Sequence, residues 1–154
     1  MNKTTMAIIA VVVVIIVVVV GVAAYELTRP GGTTGGGTHI DIYASDSPSY
    51  GFGMSAGGIT SPGPNLALTS GQTYTITLHN VGTVPHNFAI TKDKVDGSTN
   101  LAFSGAQIAS ASNPVSPGSS ASVTFTAGTA GSYYYICQID SHVSLGMWGT
   151  ATVS

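Results

Sequence analysis

"TYTITLHN", Thr73 to Asn80, decides the fold. Tyr74, Ile76 and Leu78 fall on one side of an extended chain, and Thr75, Thr77 and His79 on the other. A period of two is the signature of a half-buried strand, because a helix scatters residues two apart onto different faces. The same alternation returns along the chain. "THIDIYA" (Thr38 to Ala44) aligns Ile40 with Ile42, and "PHNFAIT" (Pro85 to Thr91) aligns His86, Phe88 and Ile90. "ASVTFTAG" (Ala121 to Gly128) aligns Ala121, Val123 and Phe125, and "SYYYICQ" (Ser132 to Gln138) aligns Tyr133, Tyr135 and Cys137. "WGTATV" (Trp148 to Val153) closes the chain. β-branched and aromatic residues fill these runs, and Gly, Pro, Ser and Asn punctuate them. "NLAFSGAQIASAS" (Asn100 to Ser112) allows at most a turn or two of helix. Many short strands in one domain predict an all-β protein, a β-sandwich with Greek-key connections.

Upstream of the strands the composition changes twice. "MAIIAVVVVIIVVVVGVAA", Met6 to Ala24, is nineteen residues without a charge. As a helix it would span roughly 28 Å, close to the hydrocarbon thickness of a bilayer. A cleaved signal peptide is the rival reading, with Val22 and Ala24 at a small-residue cleavage site, but signal cores are shorter than this run. We therefore expect a transmembrane helix within an N-terminal anchor over 1–27. Lys3 precedes the run, which favours an inside N-terminus and an extracytoplasmic domain, against the mild objection of Arg29. "TRPGGTTGGGT" supplies a Gly/Thr-rich linker over 28–38 that has nothing to pack. The folded domain is expected over 39–154.

Charge is scarce: four basic and six acidic side chains give a net charge of −2. With no basic patch, nucleic acid is excluded as a partner. A surface solvated by hydroxyls also changes its self-repulsion little when carboxylates protonate, which predicts tolerance of an acidic exterior. One cysteine rules out an internal disulfide.

That cysteine stands in "CQIDSHVSLGMWG", Cys137 to Gly149. Cys137 points inward at a strand end, while His142 and Met147 follow in the loop before the last strand. His86, also inward, starts its own strand after Pro85. Taken singly, these are a small core hydrophobe, a loop histidine, a core filler and a hydrogen-bonded core histidine. Together they form a thiolate, two imidazoles and a thioether, and trigonal His₂Cys with a weak axial Met marks a mononuclear blue-copper electron-transfer site. Soft sulfur ligands stabilise Cu(I), imidazoles suit both oxidation states, and a constrained loop limits rearrangement when one electron arrives.

Here the chain resembles a family. The C-x₄-H-x₄-M loop resembles the ligand loop of the cupredoxins, with spacing most like the rusticyanins and sulfocyanins. "VPHNFAI" resembles the segment that bears their first histidine, and the N-terminal anchor and tether are similar to sulfocyanin organisation. The resemblance covers roughly Ser70 to Ser154. It implies a Greek-key sandwich binding one copper through His86, Cys137, His142 and Met147. It further implies that Asn87 ties the two ligand segments together by hydrogen bonds. Trp148 is expected to cover the site and keep water out. One departure is Asp140-Ser141 where the family often has Pro-Gly. Aspartate tolerates left-handed backbone, so the turn can survive, and a carboxylate near the metal would favour Cu(II) and lower the potential.

His39 and His79 are expected on the surface, Met54 in loop packing, and Tyr133, Tyr134 and Tyr135 as ordinary strand residues. A multicopper enzyme would flank the cysteine with histidine, whereas Ile136 and Gln138 stand there. A copper delivery protein would favour exposed Met- or His-rich clusters, and a metal-free cell-surface domain leaves the ligand set unexplained. The expectation is thus a membrane-bound carrier of single electrons within a respiratory chain, and not an enzyme. Its partners would be a cytochrome and a terminal oxidase, docking on an apolar patch of Val143, Leu145 and Trp148 with weak salt dependence.

Overall fold

A computed structural model describes residues 37–154. The anchor and most of the linker lie outside the described residues. Among the described residues, no helix is long and apolar enough to cross a membrane. Nine strands make up the domain: β1 (Thr38–Ser45), β2 (Gly51–Gly53), β3 (Leu66–Leu68), β4 (Thr73–Asn80), β5 (Phe88–Thr91), β6 (Gln107–Ile108), β7 (Ser120–Thr126), β8 (Gly131–Ile136) and β9 (Trp148–Val153). They form two sheets, ordered β2-β1-β4-β7 and β3-β9-β8-β5-β6, an all-β sandwich. Parallel pairing of β1 with β4 and of β3 with β9 means that neither sheet is a simple meander.

The alternation in Thr73–Asn80 settles which side faces inward. Tyr74, Ile76 and Leu78 are buried, and Thr73, Thr75 and Thr77 on the outer side are only half-covered. The outer hydroxyls pair across β4 and β7, Thr75 with Thr124 at 2.9 Å and Thr77 with Ser122 at 2.8 Å. Opposite them, Phe52, Phe88 and Tyr135 interlock, with Tyr135 stacked on Phe88 at 5.5 Å and edge-on to Phe52 at 5.2 Å. Gly149 sits in the strand directly across from Tyr135, and a Cβ there would run into the tyrosine ring. Such large, geometrically specific rings dominate a core of this size.

β5 departs from the simple alternation: all four of its residues are buried. It is a central strand, and the chain after it doubles back, with the Lys92 N–H donating to the Asn100 C=O at 2.9 Å. Asn100 to Ser112 contains no helix. Its apolar residues Phe103, Ala106 and Ile108 are buried, and the short strand β6 pairs antiparallel with β5. Gly105, at φ 75°, supplies a backbone turn that a helix cannot use.

The register of β5 against β8 builds the site. Ala89 faces Ile136 in an antiparallel pair, so the residues just before β5 meet those just after β8. His86 and Asn87 therefore come alongside Cys137 and Gln138.

Candidate metal centre

His86, Cys137 and His142 converge, with one ligand atom from each lying within 4.8 Å of the others. His86 and Cys137 are wholly buried and His142 nearly so. The Cys137 Sγ lies 3.3 Å from His142 Nδ1. His142 is held there by its loop, in which its N–H donates to the Ile139 C=O at 3.1 Å. Met147 is fully buried and anchored at both backbone groups: its N–H donates to the His142 C=O at 2.9 Å, and its C=O accepts from the Cys137 N–H at 3.1 Å. The loop is thus drawn closed around its three ligand residues.

Asn87 spans the two segments. Its Oδ1 accepts the Gln138 N–H at 2.7 Å, its Nδ2 donates to Gln138 Oε1 at 2.6 Å, and its own N–H points at Cys137 Sγ at 3.5 Å. Gln138 in turn donates to the Ser98 C=O at 2.7 Å.

The backbone of the loop differs from the expectation in one place. Ser141, at φ 66°, takes the left-handed conformation, not Asp140. Asp140 stabilises the turn from the side, accepting the Ser141 N–H at 3.1 Å, and is exposed. Gly146, at φ 103°, is a position that only glycine fills without strain, and a Cβ would also strike the Ser61 hydroxyl.

Trp148 takes a different place from the one expected. It begins β9 opposite Ile136, on the side of the sheet away from Tyr135 and Gly149. Its ring is edge-on to Tyr134 at 6.2 Å, and the Lys94 ammonium sits 3.7 Å from its centroid. The aromatic ring against the histidines is Tyr50, from the β1–β2 connection, whose centroid lies 4.9 Å from that of His142 and 6.2 Å from that of His86. Strand alternation explains the exchange: Met147 is inward, so its neighbour must point out. Of the three residues expected in a docking patch, Leu145 is 53% exposed, Val143 is buried, and Trp148 is half-covered.

The donor set fits a copper ion. Both ring nitrogens of His86 are buried and neither makes a hydrogen bond of normal geometry: Nδ1 has no partner, and Nε2 has only the Asp46 carboxylate, 3.5 Å away. Leaving such groups unsatisfied costs about 1–3 kcal/mol each, a cost that a metal bond removes at one of them. Burial, then the nearby His142, pulls the His86 pKa down from 6.5 to about 4 against the opposing pull of Asp46, and burial also lowers that of His142 against Asp46 and Asp96. Both imidazoles are therefore neutral at ordinary pH, as ligands must be. Burial pushes the Cys137 thiol up to about 11, against backbone N–H donation from Asn87 and Ile139. A metal must displace that proton, so loading should release one.

Residues 58–154 match the sequence signature described as copper binding proteins, plastocyanin/azurin family. The chain belongs to that family. This cupredoxin carries one copper, and His86, Cys137, His142 and Met147 are arranged like a type 1 site. Among solved structures, sodium dithionite-reduced auracyanin from the photosynthetic bacterium Roseiflexus castenholzii is 27% identical with a TM-score of 0.56, covering 76% of this chain and 97% of that one. A methionine-to-glutamine variant of rusticyanin is 25% identical with a TM-score of 0.57, covering 75% of this chain and 76% of that one. A copper-containing nitrite reductase from Thermus scotoductus is 26% identical with a TM-score of 0.53, over 76% of this chain but 27% of the enzyme. A search of curated proteins gives no match.

Three residues around the ligands were not legible in the sequence of this cupredoxin. Tyr50 and Asp46 come from a connection about forty residues before His86, and Asp96 from the loop after β5. Asp96 Oδ1 accepts the Val143 N–H at 2.8 Å, and its other oxygen takes the Ser144 hydroxyl, bracing the ligand loop. Each is an ordinary loop residue whose role exists only once the chain is folded.

Proposed function

We propose that this cupredoxin is a membrane-anchored, mononuclear blue-copper carrier that shuttles single electrons between extracytoplasmic redox partners of a respiratory chain. One observation carries the reading: a buried His₂Cys cluster with the His86 Nδ1 left without a partner, closed by a Met147 backbone clamp. Copper supplies one-electron chemistry when bound. The chain's own residues hold the ligands so that little has to move between oxidation states: Asn87 ties Cys137's segment to His86's, Asp96 braces the loop, and Tyr50 packs against both imidazoles. A transfer site needs this rigidity, whereas a delivery protein needs ligands that can be exchanged at the surface.

Against an enzyme stands the surrounding set of residues. The other two histidines, His39 and His79, lie on the outer face of the opposite sheet and share Asp41. A second redox centre at the ligand cluster would need donors of its own there. The apolar run Met6 to Ala24 supports anchoring, and a domain with few charges supports docking on a cytochrome or a terminal oxidase by apolar contact, with Leu145, three residues after His142 in the ligand loop, as the exposed residue. The anchor would keep carrier and partners at high effective concentration.

The test is a visible absorption spectrum of the full chain in detergent with one equivalent of Cu(II), beside Cys137→Ala. An intense blue or green charge-transfer band present in the wild type and absent in the variant is expected. A folded wild-type protein without the band would mean that the ligands do not hold copper, and the electron-carrier proposal would fail.

A further inference from the structure

The carboxylate nearest the ligands is neither the Asp140 of the ligand loop nor anything near it in sequence. It is Asp46, in the connection between β1 and β2, with Oδ1 lying 3.5 Å from His86 Nε2. Its side chain is 11% exposed. Three donors hold it in place: the Thr83 N–H at 2.6 Å and the Val84 N–H at 3.3 Å on Oδ1, and the Thr83 hydroxyl at 2.6 Å on Oδ2. An aspartate is ordinarily ionised at neutral pH, and three donors on its two oxygens suit the carboxylate form.

A gap in the packing lets the carboxylate approach. Gly82 borders both groups: a Cβ there would strike Asp46 Oδ1 and come within 3.1 Å of His86 Nε2. Any other residue would wedge the carboxylate and the imidazole apart. The clamp from Thr83 and Val84 and the absent side chain at Gly82 thus act on the same contact from two directions.

We propose that Asp46 is a positioning residue for copper in this protein. It holds His86 in the tautomer with the proton on Nε2, leaves Nδ1 free for the metal, and places a negative charge behind the ligand that favours Cu(II) over Cu(I). A carboxylate behind a histidine ligand fixes ring orientation and raises the basicity of the ligating nitrogen, and losing such a partner typically costs 10–100-fold in metal affinity. The charge acts unequally on the two oxidation states because Cu(II) carries one more positive charge. The inference rests on the copper reading above, and it assigns to Asp46 the potential-lowering role that sequence alone gave to Asp140.

Two variants of the full chain separate charge from shape. Asp46→Asn removes the charge but keeps an acceptor for Thr83, and Asp46→Ala removes both. In Asp46→Asn the ratio of Cu(II) to Cu(I) affinity should fall about tenfold, read as a rise in reduction potential of about 59 mV for one electron. Long-range ¹H–¹⁵N spectra of the metal-free protein should show His86 as the Nε2–H tautomer in the wild type and as a mixture in Asp46→Ala. A merely structural role for Asp46 would lower folding stability and leave the Asp46→Asn potential where it was. The proposal is overturned by an unchanged potential in folded Asp46→Asn, or by an Nδ1–H tautomer in the metal-free wild type. Should Asp46→Ala not fold, Asp46→Asn carries the test by itself. Absence of a thiolate–copper band in the wild type would count against the electron carrier instead, and the tautomer measurement would still report on Asp46.

Discussion

The protein has four histidines, and its two sheets treat them in opposite ways. On the outer face of the β2-β1-β4-β7 sheet, His39 and His79 both bond through Nε2 to Asp41 Oδ1, at 3.2 and 2.8 Å. His79 also bonds Ser120 through Nδ1 at 2.8 Å and stacks on Tyr43 at 4.7 Å. Those two imidazoles are partly exposed and satisfied. At the end of the other sheet, His86 and His142 are buried with their ring centroids 5.2 Å apart, and His86 has no partner at Nδ1 and only the Asp46 carboxylate, 3.5 Å away, at Nε2. The same residue type therefore signals solvation in one place and a missing ligand in the other. Neither identity nor proximity of two histidines marks the metal site. Burial together with unmet bonding capacity does.

The sharpest way to break this contrast is to remove one histidine from each pair. His86→Ala should lower copper affinity by more than about 100-fold, beyond the 10–100-fold typical of residues that only support a ligand. His79→Ala should leave the copper spectrum and affinity unchanged. Isothermal titration in the presence of a competing chelator measures both. Equal losses in the two variants would mean that the outer pair also binds the metal.

Acid titration of the metal-free protein gives the next largest effect. The unfolded chain takes up a proton on His86 near 6.5, but burial delays protonation of the folded chain to about 4. Stability is therefore full above 6.5 and falls as the pH drops across that window, by roughly 3 kcal/mol from His86 alone. Urea unfolding of the metal-free chain at pH 7 and pH 4.5 checks this. A flat profile would show that the imidazole is solvated, and that the two pairs are less different than their burial indicates.

Much of this was legible in the sequence because strands repeat every two residues. The inward set of β4 and the outward place of His79 follow from alternation alone, and the spacing of Cys137, His142 and Met147 is a local pattern within one loop. What escaped was contributed by distant loops. Asp46 and Tyr50 reach the histidines from the β1–β2 connection, and nothing in "SDSPSYG" distinguishes them from surface residues. Trp148, expected over the site, is more instructive: it directly follows Met147 in sequence, yet consecutive strand residues point to opposite faces. Burial of all four β5 residues was hidden as well, since alternation cannot show that a returning loop covers the outer face.

The smallest expected effect tests the satisfied pair. Bonds from His79 and then His39 lower the Asp41 pKa below its ordinary value of 3.8. A carboxylate whose folded pKa is depressed contributes stability that is present above its unfolded pKa, and that is lost as the pH falls through its folded value. Asp41 is 46% exposed, so solvent screens the interaction, and exposed pairs contribute no more than about 1 kcal/mol. Asp41→Asn should then lower the melting temperature by at most about 4 °C at pH 7. That deficit should shrink once the pH drops below about 4, because the wild type loses the same charge. Thermal melts of both proteins between pH 3 and 7 measure it, with the visible spectrum as a second readout. A deficit that grows between pH 4 and pH 3 would reverse the assigned sign. A shifted copper band would show that the outer face reaches the metal through the β-sandwich, and the separation between the two histidine pairs would have to be given up.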